Sequence, residues 1–220
     1  MTAVASLVGV VGVIVVDDAS SDETAKLATE AGAVIERLAR HRGKGAALNH
    51  ALSVLENIAP FGPWDSLDAV VLLDADLGAS ADQVSLLLTA IEKGADMAIA
   101  TFPPVLKKLG FGKVKGLAHD VILELGGFDA HAPLCGQRAL TMTCLKEVRP
   151  FADGFGVEVA MSVQALWAGM RLVEVQTTMS HRESGQSLRG FLHRGRQYLD
   201  VAHTKRVLLR TRNKLMSHNA

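Results

Sequence analysis

The chain has 220 residues, of which 49% are hydrophobic and 21% are charged. It is long enough to bury a sizeable core in one large domain, or in a domain with a tail. Lysine plus arginine and aspartate plus glutamate each number 23, so the overall charge selects no class of partner. Two cysteines, Cys135 and Cys144, are too few for a disulfide framework, and we expect a reducing, cytoplasmic compartment.

Apolar runs and helical periodicities predict alternating strands and helices from the N-terminus onward. Strands are predicted at 13–16, 33–38, 69–73, 97–100 and 171–175. Helices are predicted at 21–32, 44–58, 80–94, 157–167 and 188–209. A capping box of Ser20 and Glu23 is expected to start the first helix, and Ser80 is expected to cap the third. Residues 105–135 carry four lysines among glycines, which predicts a mobile or ligand-facing region.

The apolar stretch 3–16 is interpreted as core. It lacks a basic leader, it is too short to span a bilayer, and two acids end it abruptly. Strands that alternate with helices indicate an α/β fold with a mostly parallel sheet. In such sheets ligands bind at the carboxyl ends of the strands.

Two of the predicted strands end in acidic residues. The first leads into Asp17 and Asp18, and the third leads into Asp74 and Asp76. We therefore expect both pairs to face one site. Carboxylates two residues apart can reach one hard cation, so Asp74 and Asp76 indicate Mg²⁺ or Mn²⁺ bridging to substrate phosphates. In isolation, such a pair is equally typical of turn and cap acids.

The first acidic pair has two interpretations. One carboxylate can anchor the loop by accepting backbone N–H groups, and the other can accept donors from a ribose or a base, because adjacent like charges need compensation. The segment 42–45, Arg-Gly-Lys-Gly, places cations and amides before a predicted helix, where phosphate binds well. It is not a Walker A loop, since Gly45 follows Lys44 where Ser or Thr would stand. A plain helix-start loop is the alternative.

Three later positions complete the candidate set. Glu158 lies at a predicted helix start, where the helix dipole favours the ionised carboxylate that a general base requires. His181 follows a predicted strand and is a candidate metal ligand or phosphate contact. Gln137 and Arg138 offer a polar fork for an anionic or sugar substrate. Each has a structural alternative: a first-turn acid, a structural histidine and a surface arginine.

Six segments occur in the order and spacing of a known family. They are VIVVDDASSDET, RGKGAALNHAL, VVLLDADL, APLCGQRALT, GFGVEVAM and TMSHRESG. From Val13 to Arg196 the chain resembles the family-2 glycosyltransferases of the GT-A fold, in particular enzymes similar to dolichyl-phosphate mannose synthases and glucosyl-3-phosphoglycerate synthases. The resemblance implies a Rossmann-like sheet with helices on both faces, a UDP- or GDP-sugar donor, a divalent metal, and transfer of a hexose to a hydroxyl or phosphate acceptor.

The resemblance also implies roles for the acids and the lysine. Asp18 would contact the nucleoside, with Asp17 beside it in the donor-binding set, and Lys44 would lie near the donor. Asp76 would be the main metal ligand on the diphosphate. Asp74 would lie beside the donor ribose or sugar.

The remaining candidates follow from the same resemblance. His181 matches a histidine that completes the metal site in some relatives. Glu158 matches an acid that is either the general base or a contact to the sugar, and Gln137 and Arg138 match a segment near the acceptor. Inversion at the anomeric carbon is expected if Glu158 is the base, although some relatives with a similar segment retain configuration.

One feature departs from the family pattern. The family normally opens with a strand reading roughly VSVVIPAYNE, whose end contacts the base, and the 16 residues before Asp17 do not match it. We therefore expect a sheet without that first strand and with two exposed strand edges. A GT-A-fold binding protein, or an inactive relative without turnover, is the alternative. A signalling receiver domain using Asp74 and Thr101 fits less well, because no Lys-Pro follows Thr101.

Charge is divided unevenly along the chain. From Leu188 onward, eight lysines and arginines accompany one acid, Asp200, and residues 1–187 carry the opposite excess. We predict a catalytic domain over 1–187 and a basic helix and tail over 188–220. The basic segment indicates an anionic partner. We expect a phosphate-bearing or lipid-linked acceptor and peripheral contact with the cytoplasmic face of a membrane, but no nucleic acid. A basic helix packed on the acidic body is the alternative, and a homodimer is left open.

Overall fold

The computed structural model describes residues 2–58, 61–102, 112–180 and 189–218, in which strands alternate with helices. The strands are β1 Ile14–Asp17, β2 Val34–Arg37, β3 Ala69–Leu72, β4 Met97–Thr101, β5 Arg138–Thr141 and β6 Leu172–Gln176. The α-helices are α1 Thr2–Ala5, α2 Thr24–Glu30, α3 Lys44–Asn57, α4 Val84–Glu92, α5 Gly112–Gly126, α6 Met142–Val148, α7 Val157–Trp167 and α8 Arg189–His218. Short 3₁₀ helices are Trp64–Ser66, Gly78–Gln83 and Gly154–Gly156.

The described strands form two sheets. β1 and β2 are a parallel pair, with Ile14 opposite Val34. The second sheet has the order β3-β5-β4-β6, in which β4 and β6 are parallel and β5 is antiparallel to both of its neighbours. β3, β4 and β6 therefore run in one direction. The predicted α/β fold with a mostly parallel sheet is confirmed, and β5 is its antiparallel exception.

Two strand edges lie at the division between the sheets. Within the described residues, β1 pairs only with β2, and β3 pairs only with β5. Each of these two strands thus has one edge without a strand partner among the described residues. Unpaired edges present backbone N–H and C=O groups that need other partners. Both β1 and β3 lead into the acidic pairs, so the division adjoins the candidate site.

One hydrophobic cluster packs helices against the larger sheet, and a second packs helices against each other. The first combines buried residues of β4 and β5 with α4, α6 and α7, and β4 is buried from Met97 to Ala100. The second joins α5, α7 and α8 through side chains such as Val121, Val163 and Val201, each 0% exposed. The C-terminal helix thus contributes to a core. None of the described helices combines the length and apolar character needed to cross a bilayer.

Several predicted boundaries are wrong for local reasons. α2 begins at Thr24 rather than near Ser21, because Asp17 Oδ1 accepts the N–H of Ser20 and holds that residue in the preceding loop. Ser80 lies inside the 3₁₀ helix that precedes α4, and its hydroxyl donates to Leu77 O instead of capping α4.

The region predicted as mobile or ligand-facing is partly a regular helix. Residues 103–111 lie outside the described part, and α5 follows at 112–126. α5 buries Val114, Ala118, Val121, Ile122 and Leu125 at helical spacing. This apolar stripe outweighs the helix-weakening glycines, so packing fixes the segment as a helix.

Candidate active site

A lysine at the start of α3 joins two carboxylates from different elements. Lys44 Nζ donates to Asp74 Oδ1 at 2.8 Å, and it lies 2.9 Å from Glu158 Oε1. Asp74 is the second residue after β3, and Glu158 is the second residue of α7. Gln137 Nε2, just before β5, donates to Asp74 Oδ2 at 2.7 Å. The start of α3, the end of β3 and the start of α7, all predicted from the sequence, therefore meet at one point. Gln137, a predicted site residue, joins them there.

The charges in this cluster depend on each other. Glu158 is only 6% exposed, so its carboxylate needs a nearby cation. Burial acts to lower the pKa of Lys44, but Glu158 and Asp74 outweigh it and hold that pKa above its ordinary value. Lys44 therefore remains charged at neutral pH and offsets the repulsion between the two carboxylates.

The cluster requires a glycine at position 136. A Cβ there would overlap Lys44 Nζ and would lie 3.1 Å from Asp74 Oδ2. The ammonium therefore occupies the space that a side chain would fill, which accounts for the glycine before Gln137.

Replacing Gly136 by alanine is expected to displace Lys44 from Asp74. We expect the activity that depends on this cluster to fall about a hundredfold, since misplacing site groups by about 1 Å has effects of this size. Gly116→Ala is the matched control, because a Cβ at Gly116 in α5 meets nothing within 4 Å. Both variants are measured by steady-state turnover and thermal melting. Equal activity of the two would contradict the packing argument.

Asp18 joins β1 to the segment before α3. Its Oδ1 accepts the N–H of Arg42 at 2.7 Å, and its Oδ2 accepts the N–H of Gly43 at 2.8 Å. His41 Nδ1 lies 2.7 Å from Oδ2, and the carboxylate is 20% exposed. Asp18 thus bonds to the backbone of residues 42 and 43, and Lys44 is the next residue along the chain. Both were predicted to bind the donor.

Asp17 does not lie in this site. It is 2% exposed, its Oδ1 accepts the N–H of Ser20 at 2.7 Å, and its Oδ2 lies 3.2 Å from Arg37 Nε. The hydrogen bonds from Ser20 lower the pKa of Asp17. The prediction that Asp17 binds the donor is therefore replaced by its structural alternative, in which it anchors the loop.

Asp76 lies in the turn after β3 and is exposed. Its oxygens are hard ligands of the kind that Mg²⁺ and Mn²⁺ prefer. Within the described residues, no three His, Cys, Asp or Glu side chains form a ready-made metal cluster. That is compatible with Mg²⁺ or Mn²⁺ bound by one or two carboxylates and substrate phosphates. The predicted ligand His181 lies outside the described residues.

Arg138 lies in the core rather than beside an acceptor. It is 0% exposed, its Nε donates to Cys135 O at 2.9 Å, and its Nη1 donates to Ser162 Oγ at 2.9 Å. The predicted fork for an anionic substrate therefore does not face open space in this structure. The reason is register: Arg138 is the first residue of β5, opposite Leu72 and Ile99 of the neighbouring strands.

A cavity of about 230 Å³ opens beside the Lys44 cluster. Its lining comprises Lys44, Asp74, Val114, Leu134, Phe155, Glu158 and Gln197. Sequence reasoning missed the contributions of Phe155 and Gln197. Phe155 stands between two glycines and Gln197 lies in a basic helix, and neither pattern is a local signal of a site. The two residues come close together only through the packing of α8.

The comparisons with known proteins address the identity of the chain. Residues 3–118 match the profile of the family described as glycosyl transferase family 2. That match covers more than half of the chain. The chain belongs to glycosyl transferase family 2. The predicted family is therefore confirmed.

Two curated proteins are similar to this family-2 chain over most of its length. Polyprenol monophosphomannose synthase of Mycolicibacterium smegmatis is 30% identical over 192 residues, covering 80% of this chain and 69% of that protein. Glycosyltransferase AglJ of Haloferax volcanii is 28% identical over 182 residues. This alignment covers 80% of the chain but only 56% of AglJ, so the chain spans little more than half of that relative.

Solved structures share the fold. Glucosyl-3-phosphoglycerate synthase from Mycobacterium tuberculosis, in complex with phosphoglyceric acid, superposes with a TM-score of 0.72 at 22% identity. The match covers 94% of this family-2 chain and 72% of the synthase. The same synthase in complex with Mn²⁺, UDP and glucosyl-3-phosphoglycerate gives a TM-score of 0.65 at 23% identity, covering 88% and 67%. These likenesses confirm the GT-A fold predicted from the sequence.

Proposed function

We propose that this chain transfers a hexosyl group from a UDP- or GDP-sugar to a hydroxyl or phosphate acceptor, with Mg²⁺ or Mn²⁺ as cofactor. The observation that carries the proposal is the Lys44 cluster, in which a half-buried ammonium joins Asp74 and Glu158 beside a cavity. Family membership supports the reaction class. The complexes of the structural neighbour with UDP and Mn²⁺ or Mg²⁺ support the donor and the metal.

The donor is assigned to the side of Lys44 that contains Asp18 and Asp76. Asp18 fixes the backbone of Arg42 and Gly43, which places amides and a cation next to Lys44. Asp76, together with His181, would hold the metal, and the bound metal would offset charge on the leaving diphosphate. Lys44 would add a second positive charge at the same position.

Glu158 is assigned to the acceptor. Its carboxylate borders the cavity and is held by Lys44 at 2.9 Å. A carboxylate in this position can accept the proton of an acceptor hydroxyl as the new glycosidic bond forms. Transfer with Glu158 as base would invert the anomeric carbon. A phosphate acceptor needs no such proton transfer, and Glu158 would then orient the sugar.

The acceptor class is inferred from the ligand of a structural neighbour and from the name of a relative. One structural neighbour binds phosphoglyceric acid, and one relative is named for the synthesis of polyprenol monophosphomannose. Both support an acceptor that bears phosphate. We assign the acceptor to this class, either as a small phosphorylated molecule or as a lipid phosphate.

Turnover of donor tests the proposal directly. The full chain is incubated with UDP-glucose or GDP-mannose, with MnCl₂ or with EDTA, in the presence of phosphoglycerate or a short polyprenyl phosphate. Metal-dependent release of nucleoside diphosphate, with a glycosylated product identified by mass spectrometry, is the expected result. Binding of nucleotide without any turnover would instead support the alternative, a GT-A-fold binding protein. That alternative is supported by the pairing of the described strands, in which β1 pairs only with β2 and β3 only with β5.

A peripheral membrane contact through α8 is part of the proposal. The basic side chains Arg196, Arg206, Arg210 and Lys214 are exposed on this helix, and basic segments bind anionic lipid surfaces. The chain is expected to bind vesicles containing phosphatidylserine at low salt and to be released by high salt. Arg206→Gln combined with Arg210→Gln should weaken the binding. No sedimentation with anionic vesicles at low salt would contradict it.

A further inference from the structure

The C-terminal helix α8 reaches the cavity through one amide side chain. Gln197 lines the cavity with Lys44 and Glu158, and Phe155 lies in the same wall. Val114 and Leu134 add apolar surface. An acceptor bound here would therefore meet the carboxylate of Glu158, a hydrogen-bonding amide and carbon-rich side chains.

α8 is also docked tightly on the turn that precedes Glu158. Asp200 Oδ2 accepts the N–H of Phe155 at 3.1 Å. A Cβ at Gly154 would overlap Asp200 Oδ2, and a Cβ at Gly156 would overlap Thr204 Oγ1. Gly154 has a φ of +68°, which also favours glycine. The 3₁₀ turn Gly154–Gly156 and α8 thus approach as closely as glycine allows.

α3 holds the same segment from its other end. Asn49 Nδ2 donates to Phe151 O at 2.9 Å, and Asn49 Oδ1 accepts the N–H of Phe151 at 2.8 Å. A Cβ at Gly45 would overlap Ala152 O. Residues 151–156 are therefore fixed by α3, which begins with Lys44, and by α8. They lead directly into α7, which carries Glu158.

The contacts assign Gln197 to the acceptor rather than to the donor. Asp18 bonds to the backbone of 42–43, and neither it nor the segment 41–43 lines the cavity, whereas Lys44 and Asp74 line it beside Glu158. Gln197 and Glu158 both line it. A group whose proton passes to Glu158 has to enter that cavity, and it therefore comes within reach of Gln197.

We propose that α8 forms the acceptor wall of the site, in which Gln197 contacts the acceptor and Asp200 is a positioning residue that holds Phe155 and the start of α7. This inference rests on the proposed function and adds a residue-level assignment of the acceptor side. The amide of Gln197 can donate to a phosphate or hydroxyl oxygen and accept from a hydroxyl group. Asp200 acts only through the backbone of the 154–156 turn.

Steady-state kinetics of the full chain separate the two roles. With phosphoglycerate or a short polyprenyl phosphate as acceptor, Gln197→Ala is expected to raise the acceptor KM about tenfold, the effect of one lost hydrogen bond to a charged group. The donor KM should change far less. Asn213→Ala removes an exposed amide from the same helix and is the matched control. An acceptor KM that is equal in Gln197→Ala and Asn213→Ala would overturn the assignment.

Asp200 is tested by rescue. Asp200→Ala is expected to lower kcat about tenfold and to speed hydrogen exchange of the Phe155 amide, because that N–H loses its acceptor. Asp200→Asn keeps an acceptor oxygen and should restore most of kcat and most of the protection of the Phe155 amide. Equal damage in the two variants would overturn the positioning role. A wild-type chain that turns over no donor would overturn the proposed function and the acceptor role of Gln197, and amide exchange would still decide the role of Asp200.

Discussion

Glu158→Gln is expected to reduce hexosyl transfer to a hydroxyl acceptor, such as that of phosphoglycerate, about a thousandfold while donor binding is retained. The carboxylate is 6% exposed, lies in the first turn of α7 and borders the cavity. Glutamine has the same size, and its Oε1 can still accept from Lys44, so the local structure should persist. What is lost is a base for the acceptor proton, and general base catalysis is worth roughly a hundredfold to ten-thousandfold.

The measurement is kcat for transfer, together with the Kd of the nucleoside diphosphate by calorimetry. Glu147→Gln, at an exposed position of α6, is the matched control and should leave both values unchanged. A Glu158→Gln variant that retains most of its transfer rate would show that Glu158 is a contact to the sugar or a structural acid. Loss of nucleotide affinity as large as the loss of kcat would place Glu158 on the donor side.

Lys44→Met is expected to damage both stability and donor binding. Methionine keeps the aliphatic volume but leaves Asp74 and Glu158 as neighbouring like charges without their shared cation. Because Glu158 is buried and Lys44 is partly exposed, we expect a loss of about 2 kcal/mol in the free energy of unfolding. The affinity for a nucleoside diphosphate should fall at least about tenfold, since an attractive charge on the diphosphate is replaced by net repulsion.

The pH dependence of this variant has a defined sign. The pKa of Lys44 is raised above 10.5 in the folded chain, so its contribution is complete below pH 10.5 and is lost as the pH rises through the higher folded-state value. Urea denaturation should therefore give a constant difference between wild type and Lys44→Met from about pH 7 to about pH 9. Lys26→Met is the control, because Lys26 and its partner Glu23 are 64% and 72% exposed. Stability and affinity equal to wild type would contradict the cluster.

The sequence predicted the elements that carry long apolar patterns and missed those whose position depends on distant contacts. β1, β3, α3 and α7 follow from continuous apolar runs or from 3.6-residue periodicity. β5 and α6 were not predicted, because the short run from 138 to 148 begins with a charged residue, Arg138, that the fold buries. In the structure, Arg138 Nε donates to Cys135 O and Nη1 donates to Ser162 Oγ, and no local rule indicates either contact.

The same distinction applies to the candidate site. The predicted element ends carry Asp18, Lys44, Asp74 and Glu158. The alternation of strands and helices was therefore enough to predict that these residues lie close together. Asn49 and Asp200 were missed because their partners lie 102 and 45 residues away along the chain. Asp17 was predicted to bind the donor because it lies next to Asp18, which was assigned to the nucleoside. Only the structure distinguishes the acid that anchors the loop from the acid that bonds to 42–43.

We infer that Asp18, Asp74, Asp76 and Lys44 form a metal-dependent site for a nucleoside-diphosphate sugar. Calorimetric titration of UDP and of GDP, with and without MnCl₂, tests it most directly on wild type, Asp76→Asn and the exposed control Asp82→Asn. We predict that one nucleotide binds in the presence of Mn²⁺, that Asp76→Asn weakens this binding at least about tenfold, and that Asp82→Asn does not. Binding that is independent of both Mn²⁺ and Asp76, or no binding of either nucleotide to wild type, would contradict the account.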